Sequence, residues 1–302
     1  MNISRIHIVL VLLCLSIGIP FAEAQQAIQV VSTTQKENYA WNERSRLFIN
    51  GEQADIELIT YSGSTLKCEI VRASRHSSKE QAEQDLKKLK LLADQSGRTI
   101  TLRNYVELSG SDERPESKLK TTYKILVPEN AKGEIEIWNY FGTVTATGLS
   151  TDLEVKLEFT NLNLTNFSGI GELEMKYGEA TLKNTSGTVE MNTNRTNVNI
   201  ENLTGSATIE STFAELRLLK ISRAAHLSID AEKSEVFIDI PAKAEMAYVI
   251  KTKNVEVNHL SDKELEMLSE PDGSHRYNYK AAVGSATAEI NLNTGTLNYI
   301  VQ

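Results

Sequence analysis

Trp138 and Tyr140 are the residues best placed for chemistry at a surface. They stand two apart in Gly133-Glu-Ile-Glu-Ile-Trp-Asn-Tyr-Phe141, alternating with Ile135 and Ile137. In a strand that alternation turns Ile135 and Ile137 inward and Glu136, Trp138 and Tyr140 outward. Outward aromatic rings suit carbohydrate or another protein chain. The competing reading is that an N-terminal unit packs over both rings, because the end of a strand stack needs a cover. Trp138 and Tyr140 are the only binding residues the sequence nominates.

Catalytic chemistry finds little to work with. His76, His226, His259 and His275 are scattered, and none has a second ligand type at metal spacing. No metal or cofactor is expected. His226, between Ala225 and Leu227, has outward parity and reads as a solvent-facing side chain. The sequence contains no nucleophile elbow, phosphate loop or dinucleotide fingerprint. Cys68 alternates with Leu66 and Ile70 and reads as a small buried hydrophobe. These features point away from an enzyme.

The element that must position Trp138 and Tyr140 is a repeat. Between Gly133 and Ile240 the chain recurs every 18 residues, from Gly133, Thr151, Gly169, Gly187, Gly205 and Arg223. Inward columns follow: Ile135, Leu153, Gly171, Val189, Ala207, Ala225, then Ile137, Val155, Leu173, Met191, Ile209, Leu227. The second half adds Val144, Leu162, Ala180, Val198, Leu216, Ser234, then Ala146, Leu164, Leu182, Ile200, Leu218, Val236. Two apolar-alternating halves per period predict a flattened coil with two strands per turn, a β-solenoid. Six coils at about 4.8 Å per rung give a rod of roughly 30 Å. A sub-period of nine excludes hexapeptide helices, and the calcium β-roll signature is missing.

Two further columns belong to the corners. Phe141, Phe159, Tyr177, Arg195, Phe213 and Ala231 continue the inward parity, which predicts aromatic packing inside one corner. Arg195 must then snorkel outward or find a carboxylate. Asn166, Asn184 and Asn202 share a turn column flanked by Gly148 and Lys220, with Ser168, Ser186 and Thr204 two residues on. The Asn-x-Ser/Thr triplets match a glycosylation pattern. A ladder of stacked asparagine amides explains their 18-residue placement better.

Residues 1–24 read as a signal peptide, with Arg5, the apolar run Ile6 to Ile19 and the small-x-small site Ala22-Glu23-Ala24. No later segment is apolar enough to cross a bilayer as a helix. A net charge of −8 opposes nucleic acid and anionic membranes as partners. Residues 25–115 read as an N-terminal α+β cap unit. Leu47 and Ile49, Ile56 and Leu58, and Leu66 to Ile70 predict three strands, with Asn50-Gly51 and Ser62-Gly63 as turns. A helix starts at Ser78 and carries the stripe Ala82, Leu86, Leu89, Ala93, with Glu83 paired to Lys87 and Gly97 after its end. Residues 116–302 read as the solenoid, with an insertion around 255–280 that holds a short helix, Asp262 to Leu268. One last coil then closes the chain through Ala288, Ile290, Leu297 and Tyr299.

Tyr123-Lys-Ile-Leu-Val-Pro128, Gly133 to Val144, the Gly-x-Val/Leu rungs and the ending Gly284 to Tyr299 carry a resemblance. Over about residues 28–302 the chain resembles the bacterial "putative adhesin" family of β-strand-repeat proteins, exported β-solenoids without an assigned activity. The resemblance supplies no catalytic residue. The expectation is an exported, non-enzymatic scaffold or adhesin-like module meeting an envelope glycan or protein, in the periplasm or at the cell surface. The alternatives are an accessory or sensor protein bound to one membrane-protein partner, and a polysaccharide-active solenoid enzyme.

Overall fold

Pairing along the backbone advances by one repeat at each step. The computed structural model describes residues 27–108, 110, 114–129, 132–281 and 286–302. The expected signal peptide and the Gly284 start of the last coil lie outside these residues. The chain runs β1 (Gln29–Ala40), β2 (Arg46–Tyr61), β3 (Thr65–His76), α1 (Lys79–Lys88), β4 (Leu89–Ser96), β5 (Thr99–Val106), β6 (Lys118–Pro128) and β7 (Glu134–Thr147). It continues through β8 (Asp152–Thr165), β9 (Ile170–Thr185), β10 (Thr188–Leu203), β11 (Ser206–Thr212), β12 (Glu215–Leu219), β13 (His226–Ile240), β14 (Ala247–His259), β15 (Glu266–Ser269), β16 (His275–Tyr279) and β17 (Thr287–Val301). The fold is mainly β, a solenoid.

Val144 stands over Leu162, Leu162 over Ala180, Ala180 over Val198 and Val198 over Leu216, all in parallel register. The inward columns are buried throughout, from Ile135 and Ile137 to Leu216 and Leu218. Gly171 breaks its column, and the Phe167 ring occupies the space its side chain would need.

The sixth period departs from the expected register. Ser206 faces His226, a step of 20 where every earlier step is 18. The two extra residues fall in the turn between β12 and β13. Gly205 therefore meets Ala225 rather than Arg223, Ala207 meets Leu227, and Leu216 and Leu218 meet Val236 and Ile238. A shift of two leaves every side chain on its own face, so the core is undisturbed.

The ends are threaded, not merely appended. β2 pairs in parallel with β7 on one side and with β5 and β6 on the other. Leu47, Ile49, Ile56 and Leu58 thus lie level with Ile135, Ile137, Val144 and Ala146. At the far end β17 slots between β13 and β14. The rungs in order are β5/β6, β2, β7, β8, β9, β10, β11/β12, β13, β17 and β14. Nine spacings make the rod about 43 Å long. Asn50-Gly51 is consequently no hairpin turn; β2 runs straight through it and bends at Gln53.

Antiparallel strands extend both sides of the first rung: β4 beside β5, and β3 then β1 beside β6. Helix α1 lies on β1 and β3. Ser78 caps it by accepting from the Gln81 amide at 3.2 Å. The helix stops at Lys88, short of the expected stripe, because Leu89 to Ser96 pair with β5. Leu89, Leu91 and Ala93 follow a strand's period of two, and Gly97 turns the β4–β5 hairpin. Glu83 pairs with Lys79 at 3.7 Å, not with Lys87. Asp262 to Leu268 forms no helix either; its second half is the strand β15.

Asp85 ties α1 to the segment entering β6. Its fully buried carboxylate accepts from the Glu116 and Ser117 amides at 3.1 and 3.0 Å and from the Gln81 side chain at 3.1 Å. Burial alone would raise its pKa, but the Ser117 amide, Gln81 and the Lys88 ammonium hold it below the ordinary range. The lowered pKa contributes stability that is complete above the unfolded value of about 3.9. It is lost as pH falls through the folded value. Asp85→Asn is expected to cost about 2 kcal/mol at pH 7. Urea unfolding from pH 7 to pH 3 should show the gap between wild type and variant closing below about pH 4.

Candidate functional site

Both corners of a coil turn at a residue with left-handed backbone; Gly148, Asn166, Asn184, Asn202 and Lys220 mark one corner, and a second series marks the other. Gln53, Phe141, Phe159, Tyr177, Arg195, Phe213, Lys233, Asn254 and Thr294 all have φ between 51 and 64°. Such a residue breaks strict alternation, since its side chain leaves the corner outward while both neighbouring half-strands face the core. The next position is held to small residues. A Cβ on Gly142 or Gly295 would lie 1.9 Å from the carbonyl oxygen of the neighbouring rung.

The expected inward aromatic corner is therefore reversed. Phe141, Phe159, Tyr177 and Phe213 are 40–46% exposed. Their rings form a spine along the rod: Phe141 on Phe159 at 5.0 Å and Phe159 on Tyr177 at 4.8 Å, nearly parallel. Arg195 continues it, 5.9 Å from the Tyr177 ring centre and 5.1 Å from Phe213. Lys233, not Ala231, ends the series, 5.3 Å from Phe213. Arg195 finds π faces rather than a carboxylate. Because ring faces cover one another, the spine presents mainly edges to solvent, a poor platform for a sugar face.

Trp138 and Tyr140 stand beside this spine, 41% and 42% exposed. The N-terminal segment touches Trp138 without covering it: Phe48 meets its ring edge-on at 5.4 Å. Glu136 shares the outward parity yet is buried, bonded to Arg46 at 2.5 Å. Register sets Trp138 above Lys156 and Glu174, and Tyr140 above Glu158 and Lys176. The result is an array two columns wide and three rungs deep, bordered by Asn50 and Gly51 in a shallow cleft. Lys156 lies 5.2 Å from the Trp138 ring centre and bonds Glu154 at 2.8 Å, which raises its pKa. Glu174 meets Lys176 at 3.4 Å.

Such an array offers ring surface beside alternating donors and acceptors. Among the described residues no group of three or more His, Cys, Asp or Glu side chains is placed to hold a metal. His226 is exposed. Cys68 is buried, and burial pushes its thiol up to about 12. Asn184 donates to Asn166 at 3.0 Å and Asn202 to Asn184 at 2.8 Å, the expected amide ladder. No helix among the described residues is long and apolar enough to cross a membrane.

The spine is what sequence reasoning missed. Its signal was the column that follows it, Gly142, Thr160, Gly178, Thr196, Ala214 and Ser234, whose small residues mark a tight corner. Phe159→Ala should cost about 1 kcal/mol, because only exposed stacking is lost. Phe167→Ala, in the core, should cost about 3–5 kcal/mol. Chemical denaturation of both variants checks the ordering.

Comparison with known proteins extends the picture. Residues 44–298 match the family model described as Toastrack DUF4097. Among solved structures the chain is similar to a "putative cell adhesion protein" from Clostridium sporogenes ATCC 15579. Identity is 13% over 89% of this chain and 100% of that one, with a TM-score of 0.30. It is similar to a "putative adhesin" from Bacteroides fragilis NCTC 9343 (11% identity, 88% and 97% covered, TM-score 0.30). It is also similar to a "putative lipid binding protein" from Parabacteroides distasonis ATCC 8503 (10% identity, 88% and 96% covered, TM-score 0.33). No curated protein matches.

Proposed function

The chain belongs to the Toastrack DUF4097 family, and on that premise we propose that it is an exported, non-enzymatic β-solenoid. Its role is that of an adhesin-like binding module or envelope scaffold, in the periplasm or at the cell surface. The observation that carries this reading is the array built on Trp138 and Tyr140. Two half-exposed rings stand in register above Lys156, Glu158, Glu174 and Lys176 on a rigid face. Ring surface flanked by fixed hydrogen-bonding groups suits a sugar chain or the polar side chains of a protein. The long outer faces, rich in Thr, Asn and Glu, add weak repeated contacts along a polymer. The apolar run Ile6 to Ile19 with its cleavage site supports export.

A second reading, attachment to one membrane-protein partner, draws on apolar side chains exposed in the N-terminal segment: Ile28, Val30, Leu92 and Leu108. A glycan array joined to pull-down from an envelope fraction separates the two. Selective retention of a glycan, reduced at least tenfold in Trp138→Ala/Tyr140→Ala, is the expected result. Capture of one stoichiometric protein, unaffected by that variant, would favour the second reading. Turnover of a polysaccharide by the purified chain would refute the non-enzymatic role.

A further inference from the structure

The two ends of the rod are finished differently. At the N-terminal end α1, β1, β3 and β4 extend and cover both sides of the coil. At the C-terminal end the two sides are unequal. Beyond the last full rung, β16 and β15 lengthen the first-half sheet by two strands. Among the described residues no strand pairs with the outer edge of Val255–His259, the second half of that rung. The end is a step.

The step carries exposed apolar side chains. Val257 lies level with Leu297, which is fully buried, yet Val257 itself is only half-buried. Met267 lies level with the inward Tyr277 and is 53% exposed. Leu268 and Leu260 are 48% and 56% exposed. Nearby charges are largely paired already: Arg276 with Glu270, Lys253 with Asp272, and His259 beside Glu264. On the two edges themselves Glu256 and Glu266 are exposed on the outward parity, so the inward positions that would meet on pairing, Val257 and Met267, are apolar.

We propose that this end docks against the same end of a second copy of the chain. A two-fold axis along the strand direction exchanges the two sheets and reverses the rod. The long side of one copy then meets the short side of the other. β15 of each copy lies antiparallel against Val255–His259 of its mate, so two free edges are satisfied at once. With Met267 opposite Val257 both point inward, and Leu268 faces Glu256 on the outside. A half-strand spans about 20 Å, sheets lie about 10 Å apart and the step is two strands high, so the end offers about 200 Å² of cross-section and the inner face of the step about as much again. That is small for an interface between two chains, so the dimer is expected to be concentration-dependent and held mainly by the backbone hydrogen bonds of the two new strand pairs.

Sedimentation velocity over a hundredfold range of concentration tests the proposal on the full chain. The expected result is a reversible monomer–dimer equilibrium, weakened at least tenfold in Met267→Lys. Mixing the single variants Leu268→Cys and Glu256→Cys should give a disulfide-linked dimer, while Leu268→Cys alone should not. A chain that stays monomeric at about 100 μM overturns the proposal. So does a dimer indifferent to Met267→Lys, or a mixture that fails to cross-link. Glycan retention is read separately, so failure here leaves the Trp138 and Tyr140 site standing.

Discussion

One constraint governs this molecule: every rung must repeat the backbone of its neighbour, left-handed corner included. Parallel pairing leaves no slack between Gly142 and the carbonyl of Ala54, or between Gly295 and that of Ser234. A corner that failed to match would break hydrogen bonds on both sides of it. The corner column tolerates aromatic, cationic and amide side chains alike because they all project outward. Once there, they satisfy one another along the rod as rings or as cations on rings, and at the opposite corner Asn166, Asn184 and Asn202 do so as amides. The core columns carry the opposite demand. They accept exchanges such as Gly171 for a larger residue only because Phe167 fills the gap from the adjoining turn.

The same constraint explains where a binding surface can form. Outward residues in register are carried to fixed spacings, so a site consists of a patch of columns and rungs. Trp138 and Tyr140 gain their setting from Lys156, Glu158, Glu174 and Lys176, which lie 18 and 36 residues further along the chain. No loop positions them. Recognition on such a surface is pre-organised, and binding need not order a mobile segment.

Much of this was legible in the residues. The 18-residue period, the apolar columns, the asparagine ladder and the start of α1 follow from spacing alone. Other features escaped for identifiable reasons. The aromatic spine reads as inward because alternation counts residues and cannot register a left-handed corner. The two extra residues before β13 leave parity intact, so the columns looked continuous. The helical stripe overruns α1 because Ala82, Leu86, Leu89 and Ala93 fit a helix while Leu89, Leu91 and Ala93 fit a strand, and pairing with β5 decides between them. The threading of β2 and β17 depends on partners far away in sequence. Even so, Leu47, Ile49, Ile56 and Leu58 repeat the intervals of Ile135, Ile137, Val144 and Ala146. Tyr248, Ile250, Val257 and His259 do so again. That shared spacing was the available sign.

Distances between paired spin labels on one outward column test the architecture most directly. With one label at Thr145, partners at Arg217, Phe237, Asn298 and Asn258 occupy successive later rungs. The account predicts separations rising by about 4.8 Å per rung, from about 19 Å at Arg217 to about 34 Å at Asn258. Asn298 should fall between Phe237 and Asn258 despite its later place in the chain. Separations that follow sequence order, or that scatter off a single line, would contradict the threaded solenoid.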